Sequence, residues 1–218
     1  MISTLYAVYG IGGCGRGIMP LARAMLKNMS ISQDCLVFVD DQPVVKSLNG
    51  HPVLSYEAFI EHPSNHKHAT LAIADSSLRE HLYDKLKNDK VKLWSVLAEN
   101  SVTMDDVQIA EGHILSPFVC LTSNIKIGRC FHANLYSYVE HDCIIGDFVT
   151  FAPGVKCNGN VRIEDHAYIG AGAVIRQGVP GDPLIIGKGA IVGMGAVVTK
   201  HVSPGSTVVG NPAKVMKG

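Results

Sequence analysis

Three ionisable residues in succession stand out in the segment Val139-Glu140-His141-Asp142-Cys143-Ile144, inside an otherwise apolar neighbourhood. A carboxylate beside an imidazole can hold one ring nitrogen protonated and fix the ring, leaving the other nitrogen as a general base near neutral pH. On a strand, His141 and Asp142 would point to opposite faces; at a corner both side chains can converge. The plain alternative is a surface turn with ordinary charges, and spacing does not separate the two. Lys156-Cys157-Asn158-Gly159-Asn160-Val161 follows. Gly159 could offer its N–H to a developing oxyanion, or Asn and Gly could simply serve a tight turn. The other histidines of this half, His113, His132, His166 and His201, offer less and read as structural or solvated.

A second chemical signal lies near the start. Leu5-Tyr6-Ala7-Val8-Tyr9 reads as a strand, and Gly10, Gly12 and Gly15 match G-x-G-x-x-G ahead of a helix expected from about Gly17 to Asn28, with Pro20 in its first turn. Glycines let a backbone approach a phosphate, and a helix N-terminus favours its charge. Asp40-Asp41 ends a second strand, Leu36–Val39. The unit is roughly one mononucleotide-binding half with an extra strand, which favours one nucleotide with a phosphate-linked head group over a dinucleotide. A glycine turn needed only for strand–helix packing is the bland reading. His62, His66 and His68 read as a polar exposed loop; with no acid or cysteine among them they do not make a metal site.

These groups need elements to hold them. From Ile109 every sixth residue is apolar: Leu115, Leu121, Ile127, Ala133, Val139, Ile145, Phe151, Cys157, Ile163, Ile169 and Ile175 follow. The phase breaks around Val179-Pro180-Gly181-Asp182-Pro183 and resumes at Ile186, Val192 and Val198. A period of six fits neither a helix nor a two-sided strand; it fits a parallel β-helix, three short rungs to a triangular coil. Glycine often follows the apolar residue (Gly128, Gly146, Gly170, Gly187, Gly193), where a bend and an obstructing Cβ are expected. Residues from about 5 to 98 instead alternate strands with helices. Further strands are expected at Thr70–Ala74 and Leu93–Leu97, and helices at Ser55–Glu61 and after a cap at Ser76 or Ser77, which predicts a small parallel α/β sheet. The division expected is 1–98 and 99–218.

Charge is balanced, 19 basic against 19 acidic residues, so no nucleic-acid groove or anionic membrane surface is implied. No apolar run reaches bilayer length, and the first residues lack a charged leader. Six cysteines without a CxxC pair, Cys143 and Cys157 at inward positions, read as reduced thiols of a cytoplasmic protein.

Residues 109–217, through this repeat and the C-terminal Val208-Val209-Gly210-Asn211-Pro212-Ala213-Lys214, resemble the hexapeptide-repeat acyltransferases. With Tyr9-Gly10-Ile11-Gly12-Gly13 and Val39-Asp40-Asp41 ahead of it, the whole chain resembles the nucleotide-sugar amino-acetyltransferases of bacterial glycan biosynthesis, the bacillosamine and perosamine type. Sialic-acid O-acetyltransferase-like proteins are relatives. Glu140-His141-Asp142 and Cys157–Val161 are the most specific parts.

The resemblance implies an all-β left-handed parallel β-helix behind a small Rossmann-like domain, against the usual right-handed crossover. It implies an acetyl-CoA-dependent N-acetyltransferase acting on an amine, at C4, of a nucleotide-linked amino-deoxy sugar, with no metal. His141 would be the base and Asp142 its orienting acid. Gly159 N–H would meet the acetyl carbonyl, and Asn134 and Glu140 would face the sugar. Gly12, Gly13, Cys14, Asp40, Asp41 and Ala74 would form the nucleotide site. Ala171 and Met194 would line acetyl-CoA, with Lys214 at its nucleotide end. Thr150 stands where relatives often carry a second histidine, and Cys14 where one carries histidine in the glycine turn. A homotrimer with active sites between coils is implied. The rival readings are a sugar O-acetyltransferase and a non-catalytic nucleotide-sugar binder.

Overall fold

The computed structural model describes residues 3–216. Met1 and Ile2, on which the expectation about the first residues falls in part, and Lys217, the end of the stretch carrying the resemblance, lie outside them. The chain forms two compact units, Met1–Leu97 and Ala98–Gly218.

The first unit is built on β1 (Thr4–Tyr9), buried along almost its whole length. It is followed by α1 (Gly13–Asn28), β2 (Leu36–Asp40), β3 (Ser47–Leu48), β4 (His51–Ser55), α2 (Tyr56–Glu61), β5 (His66–Leu71), α3 (Ser76–Asn88) and β6 (Lys92–Leu93). The sheet order is β3-β4-β2-β1-β5-β6, parallel except for the β3–β4 hairpin. The chain moves outward from β1 through β2 to β4, then returns to β5 on the other side of β1. That reversal opens a crevice beyond the carboxyl ends of β1 and β5, where open α/β sheets bind ligands.

Several local expectations shift. Helix α1 begins at Gly13, not near Gly17, so Pro20 lies inside it rather than in its first turn. Strand β5 begins at His66, because it pairs with β1 along that strand's full length, Thr4 with His66 through Tyr9 with Leu71. His66 and His68 are therefore strand residues, not an exposed loop. His68 packs 5.0 Å from the Tyr6 ring, and burial lowers its pKa. Ile73 and Ala74 leave the sheet. Asp75, not Ser76 or Ser77, caps α3 by accepting the Leu78 N–H at 2.8 Å. The β3–β4 hairpin turns on Asn49 (φ 48°) and Gly50 (φ 81°). That Asn-Gly pair is a hairpin signal legible in the sequence.

The second unit is a parallel β-helix of two- and three-residue strands in three sheets. Ala133 pairs with Leu115 and Phe151, Val139 with Leu121 and Cys157, and Ile145 with Ile127 and Ile163. Each partner is eighteen residues away, three hexads to a coil. From Leu115 to Val198 the residues heading the hexads are buried and stack down the axis. Ile163 pairs next with Ile186, twenty-three residues on, so the coil interrupted near Pro183 carries five extra residues.

The bend does not fall on the glycines that follow the apolar positions. It falls two residues further on. Asp106, Gly112, Phe118, Asn124, Cys130, Tyr136, Asp142, Phe148, Gly154, Asn160, His166 and Gly172, every sixth residue, have φ between 51° and 76°. The glycines after the apolar positions meet a different demand, close approach of the next coil. A Cβ on Gly128 would sit 2.3 Å from Asp147 Oδ1, and on Gly146 2.4 Å from Asp165 Oδ1. Those carboxylates tie coils together: Arg129 N–H donates to Asp147 Oδ1 at 2.7 Å, and Asp147 N–H to Asp165 Oδ1 at 2.9 Å.

Gly146→Ala is expected to lower unfolding free energy by about 1–3 kcal/mol, because backbone and a fixed carboxylate must yield. Gly17→Ala, on α1 with nothing within 4 Å, is expected to raise it by up to about 1 kcal/mol. Urea unfolding followed by circular dichroism checks both. Burial would raise the Asp147 pKa, but the Arg129 guanidinium and N–H outweigh it and hold the carboxyl below its usual range. The folded state thus favours ionised Asp147; this stability is present above the unfolded pKa, about 3.9, and is lost as pH falls through the lower folded value. Asp147→Asn should cost stability near neutral pH, and the gap from wild type should narrow on acidification below about pH 4.

Candidate active site

His141 and Asp142 occupy one corner of the coil. Asp142 is the left-handed residue of its hexad, at φ 60°, a conformation Asp tolerates better than most residues. That bend removes the alternation of a strand and turns both side chains the same way. His141 Nδ1 lies 2.8 Å from Asp142 Oδ2, with the side chains 55% and 49% exposed. With Nδ1 engaged by the carboxylate, Nε2 is the nitrogen left for chemistry.

Gly159 lies one coil on, directly against the imidazole. A Cβ there would stand 2.6 Å from His141 Cε1 and 2.7 Å from Nε2. Its glycine identity is thus a steric demand of the ring. Among the described residues no backbone acceptor takes its N–H, while its carbonyl accepts the Gly178 N–H at 3.0 Å. Two residues missed by sequence reasoning flank this corner. The Tyr138 hydroxyl donates to Asn158 Oδ1 at 3.0 Å, and Asn158 donates its side-chain N–H to Ile175 O at 2.9 Å. They are twenty residues apart, so the eighteen-residue register, which sets Tyr138 against Lys156, does not by itself pair them. Beneath the corner, Cys143 and Cys157 are buried free thiols.

The other expected residues are not all near His141 within one chain. Glu140 is half-buried beside it. Asn134 stands after Ala133 on a different face and donates its amide N–H to Phe151 O at 2.7 Å. Thr150 is buried on that same face, paired with His132 and Tyr168. Ala171 and Met194 follow on the edge beyond it, joined where Gly195 N–H donates to Ala171 O at 2.8 Å. Met194 is 81% exposed. Phe118 and Tyr136, exposed and stacked 4.8 Å apart, stand at left-handed corners of this edge. Lys214 is exposed in the terminal antiparallel pairing, Val209 with Lys214.

In the first unit the glycine turn starts at the carboxyl end of β1 beside Ala72 and Ile73, which Ala74 follows in the chain. Gly10, at φ 114°, would place a Cβ 2.9 Å from Ala72 O, and Gly15 would place one 1.8 Å from Gly10 O. These two glycines are packing requirements. Gly12 and Gly13 have nothing within 4 Å. Gly12 caps α1 with no side-chain hydrogen bond, and no acidic residue fills the first turn, so the helix end is open to an anion. Burial raises the Cys14 thiol pKa.

Asp41 is held from two sides, a network without a local sequence signal. The Tyr9 hydroxyl donates to Asp41 Oδ1 at 2.6 Å and Lys85 Nζ at 3.1 Å; Lys85 also lies 3.6 Å over the Tyr56 ring. Burial would raise the Asp41 pKa, but these two donors outweigh it and keep the carboxylate ionised. Asp40 Oδ1 accepts the Gln42 N–H at 3.0 Å. Arg79, fully buried, donates to Ile73 O at 2.8 Å and Ala74 O at 3.2 Å and so fixes the strand's exit beside the glycine turn. Among the described residues no cluster of three or more His, Cys, Asp or Glu could hold a metal ion. No helix among them is long and apolar enough to cross a membrane.

An open helix end in a parallel α/β unit, joined to a coil with an acid-held imidazole at its corner, agrees with what known proteins show. The bacterial transferase hexapeptide family (six repeats) matches residues 142–177. GDP-perosamine N-acetyltransferase of Escherichia coli O157:H7 is 52% identical over 213 residues, 98% of this chain and 96% of that protein. The chain belongs to the nucleotide-sugar N-acetyltransferases of the hexapeptide-repeat superfamily. Among solved structures, WeeI from Acinetobacter baumannii AYE matches at TM-score 0.95 and 58% identity over 98% of this chain and 100% of that one. The acetyltransferase domain of PglB from Neisseria gonorrhoeae FA1090, in complex with acetyl coenzyme A, matches at TM-score 0.72 and 25% identity over 99% of this chain and 100% of that chain. The protein is an acetyltransferase with acetyl-CoA as donor, and its coil is the left-handed β-helix of that superfamily.

A methyl group at residue 159 would displace the imidazole by roughly the overlap it creates. Gly159→Ala is therefore expected to cut kcat/KM about 10²-fold, the scale of a misplacement near 1 Å, with the unfolding midpoint little changed. Steady-state kinetics beside thermal unfolding checks this.

Proposed function

We propose that the enzyme transfers the acetyl group of acetyl-CoA to the C4 amine of a nucleotide-linked amino-deoxy sugar, with GDP as the nucleotide, in bacterial glycan biosynthesis in the cytoplasm. The observation that carries the reading is the His141 ring, held by Asp142 through Nδ1 and laid on Gly159, so that Nε2 and the Gly159 N–H share one exposed corner. The 52% identity to a GDP-perosamine N-acetyltransferase supports the amine and the guanine nucleotide.

In this reading the sugar amine attacks the thioester carbonyl and a C–N bond forms. His141 Nε2 accepts the proton that the nitrogen sheds, and Asp142 stabilises the resulting imidazolium. Gly159 N–H donates to the oxygen as it gains charge. The C–S bond then breaks, and the proton passes from His141 to the departing sulfur. Glu140 and Asn134 face the sugar. The open N-terminus of α1 at Gly12, Gly13 and Cys14 receives the diphosphate. Asp40, the free oxygen of Asp41 and the Ala74 backbone position the nucleoside.

Ala171, Met194 and Thr150 stand on other faces and edges of the coil than His141. A second copy of the chain, its edge laid against the His141 corner, would bring both sets to one thioester, with Lys214 at the donor's far end. This supports a homotrimer with sites shared between subunits.

The test is turnover on GDP-, UDP- and dTDP-linked 4-amino sugars and their hydroxy counterparts, read as thiol release and as acetylated product by mass. Turnover is expected with a GDP-linked amino sugar such as GDP-perosamine. Silence across the amino sugars, or faster reaction of a hydroxy sugar, would overturn the assignment. His141→Ala should lower kcat about 10²–10⁴-fold while nucleotide-sugar affinity by calorimetry holds. Asp142→Asn should lose at least about 10²-fold by releasing the ring and its tautomer.

A further inference from the structure

We propose that Phe118 and Tyr136 of one subunit form an apolar wall for the acceptor sugar at the His141 corner of the adjoining subunit, and that this wall selects a deoxy sugar over its hydroxylated counterpart. The proposal rests on the reading of the chain as a homotrimer with His141 as the base.

The two rings are held out at a cost. Phe118 and Tyr136 sit at φ 63° and 59°, a region that bulky side chains rarely adopt. They stack 4.8 Å apart with 7° between their planes, yet stay 51% and 64% exposed. The fold is able to cover an aromatic at such a corner: Phe148, at φ 58°, stacks on His166 and is 1% exposed. Leu135 beside Tyr136 is exposed as well, and neither Ser116-Pro117-Phe118 nor Asn134-Leu135-Tyr136 contains a charge. An exposed apolar patch of this kind marks a contact.

Height along the coil decides which contact. With the threefold axis parallel to the coils, every residue keeps its height from one subunit to the next. Tyr136 lies five residues before His141, in the same coil. Tyr136 N–H donates to Pro117 O at 3.2 Å, which puts Phe118 one coil back. Asp142 N–H donates to Ser123 O at 3.1 Å, which puts Ser123 at that same level below the imidazole. In the other direction Gly154 N–H donates to Leu135 O, Gly172 N–H to Pro153 O and Gly195 N–H to Ala171 O, each at 2.8 Å. Ala171 and Met194, the positions proposed for the acyl donor, are thus two and three coils beyond Tyr136. At about 4.8 Å per coil they stand roughly 10 and 14 Å to one side of the imidazole's level, while the aromatic pair spans that level and the first coil on the other side. Thioester and amine meet at the imidazole, so the donor fills one side and the sugar the other.

The chemistry fits a deoxy sugar. Where a methyl replaces a hydroxymethyl group, the sugar presents C–H bonds, which the electron-rich faces of Phe and Tyr favour. A hydroxymethyl group against the same rings loses its water and gains no hydrogen bond. Glu140 and Ser123, on the imidazole's edge, supply polar groups to the opposite side of the ring.

The experiment compares GDP-perosamine with GDP-4-amino-4-deoxymannose, its counterpart hydroxylated at C6, at saturating acetyl-CoA. The wild type is expected to favour the deoxy sugar in kcat/KM by about tenfold or more, the scale of one apolar group in a hydrophobic pocket. Phe118→Ala/Tyr136→Ala should erase that preference, with the trimer intact by light scattering and the Kd of coenzyme A and of GDP unchanged by calorimetry. Phe118→Tyr/Tyr136→Phe should keep it. Co-expression with His141→Ala chains then tests the subunit assignment. Random mixing makes roughly a quarter of the junctions wild-type if imidazole and wall come from different chains, and none if they come from one. Deoxy-sugar turnover well above that of either variant alone is therefore expected. A preference that survives the double alanine variant overturns the proposal. So does dissociation of that variant, which would assign the pair to subunit packing, and so does mixing that restores nothing. Wild-type silence on both sugars, or full activity of His141→Ala trimers, would overturn the acyl-transfer reading as well.

Discussion

The hydrogen bonds from each coil to the next are what the rest of the structure depends on. They lock partners eighteen residues apart, and with that one register every corner becomes a fixed column. Parallel strands of two or three residues have little stability alone; stacking supplies it, because each coil gives its neighbour both backbone partners and an apolar floor. The geometry of the proposed active site follows from the same constraint. Asp142 is left-handed because every sixth residue is, and that bend turns its carboxylate onto the neighbouring imidazole. Gly159 underlies the ring because the register places it there. The exposed pair needs little dedicated packing, since the corner itself is rigid.

The period of six made the coil legible, because inward positions must be apolar in every unit and the pattern accumulates over many repeats. The bend was less legible. Left-handed corners hold Phe118, Cys130, Tyr136, Phe148 and His166 as well as Asn, Asp and Gly, so residue type does not mark them. Repetition pays the strain of those non-glycine corners coil by coil, through stacking contacts such as Phe118 on Tyr136 and Phe148 on His166. The glycines that did stand out serve another need, room for Asp147, Asp165 and the backbone of the next coil.

The glycine turn of the first unit shows the same ambiguity. A motif search weighs Gly10, Gly12 and Gly15 alike. In the structure Gly10 and Gly15 are consumed by packing, and Gly12 and Gly13, which pack against nothing, leave the helix end open. Packing thus accounts for Gly10 and Gly15, and Gly12 and Gly13 are the positions that the ligand reading would need. The partners of Asp41 were out of reach of pattern reasoning. Tyr9 ends one strand and Lys85 lies on α3, forty-four residues from Asp41, and only the folded sheet brings them together.

A triangular coil has three edges, and its chemistry is divided among them. The edge after Val139 and Cys157 carries the imidazole, the Gly159 N–H that no backbone acceptor takes among the described residues, and, further along, Arg176 and Lys200. The edge after Phe151 and Ile169 carries Ala171, the protruding Met194 and the exposed aromatic pair, with almost no charge. The third, after Ile145 and Ile163, spends its ionisable groups on structure, through Arg129, Asp147 and Asp165. One edge thus offers polar groups, and another an apolar rail. Neither edge encloses a ligand alone, because a convex corner cannot surround what it touches. In the proposed homotrimer two coils set side by side would make the groove that one cannot, and the rigidity of each would let a hydrogen-bonded register fix the geometry between groups that belong to different chains.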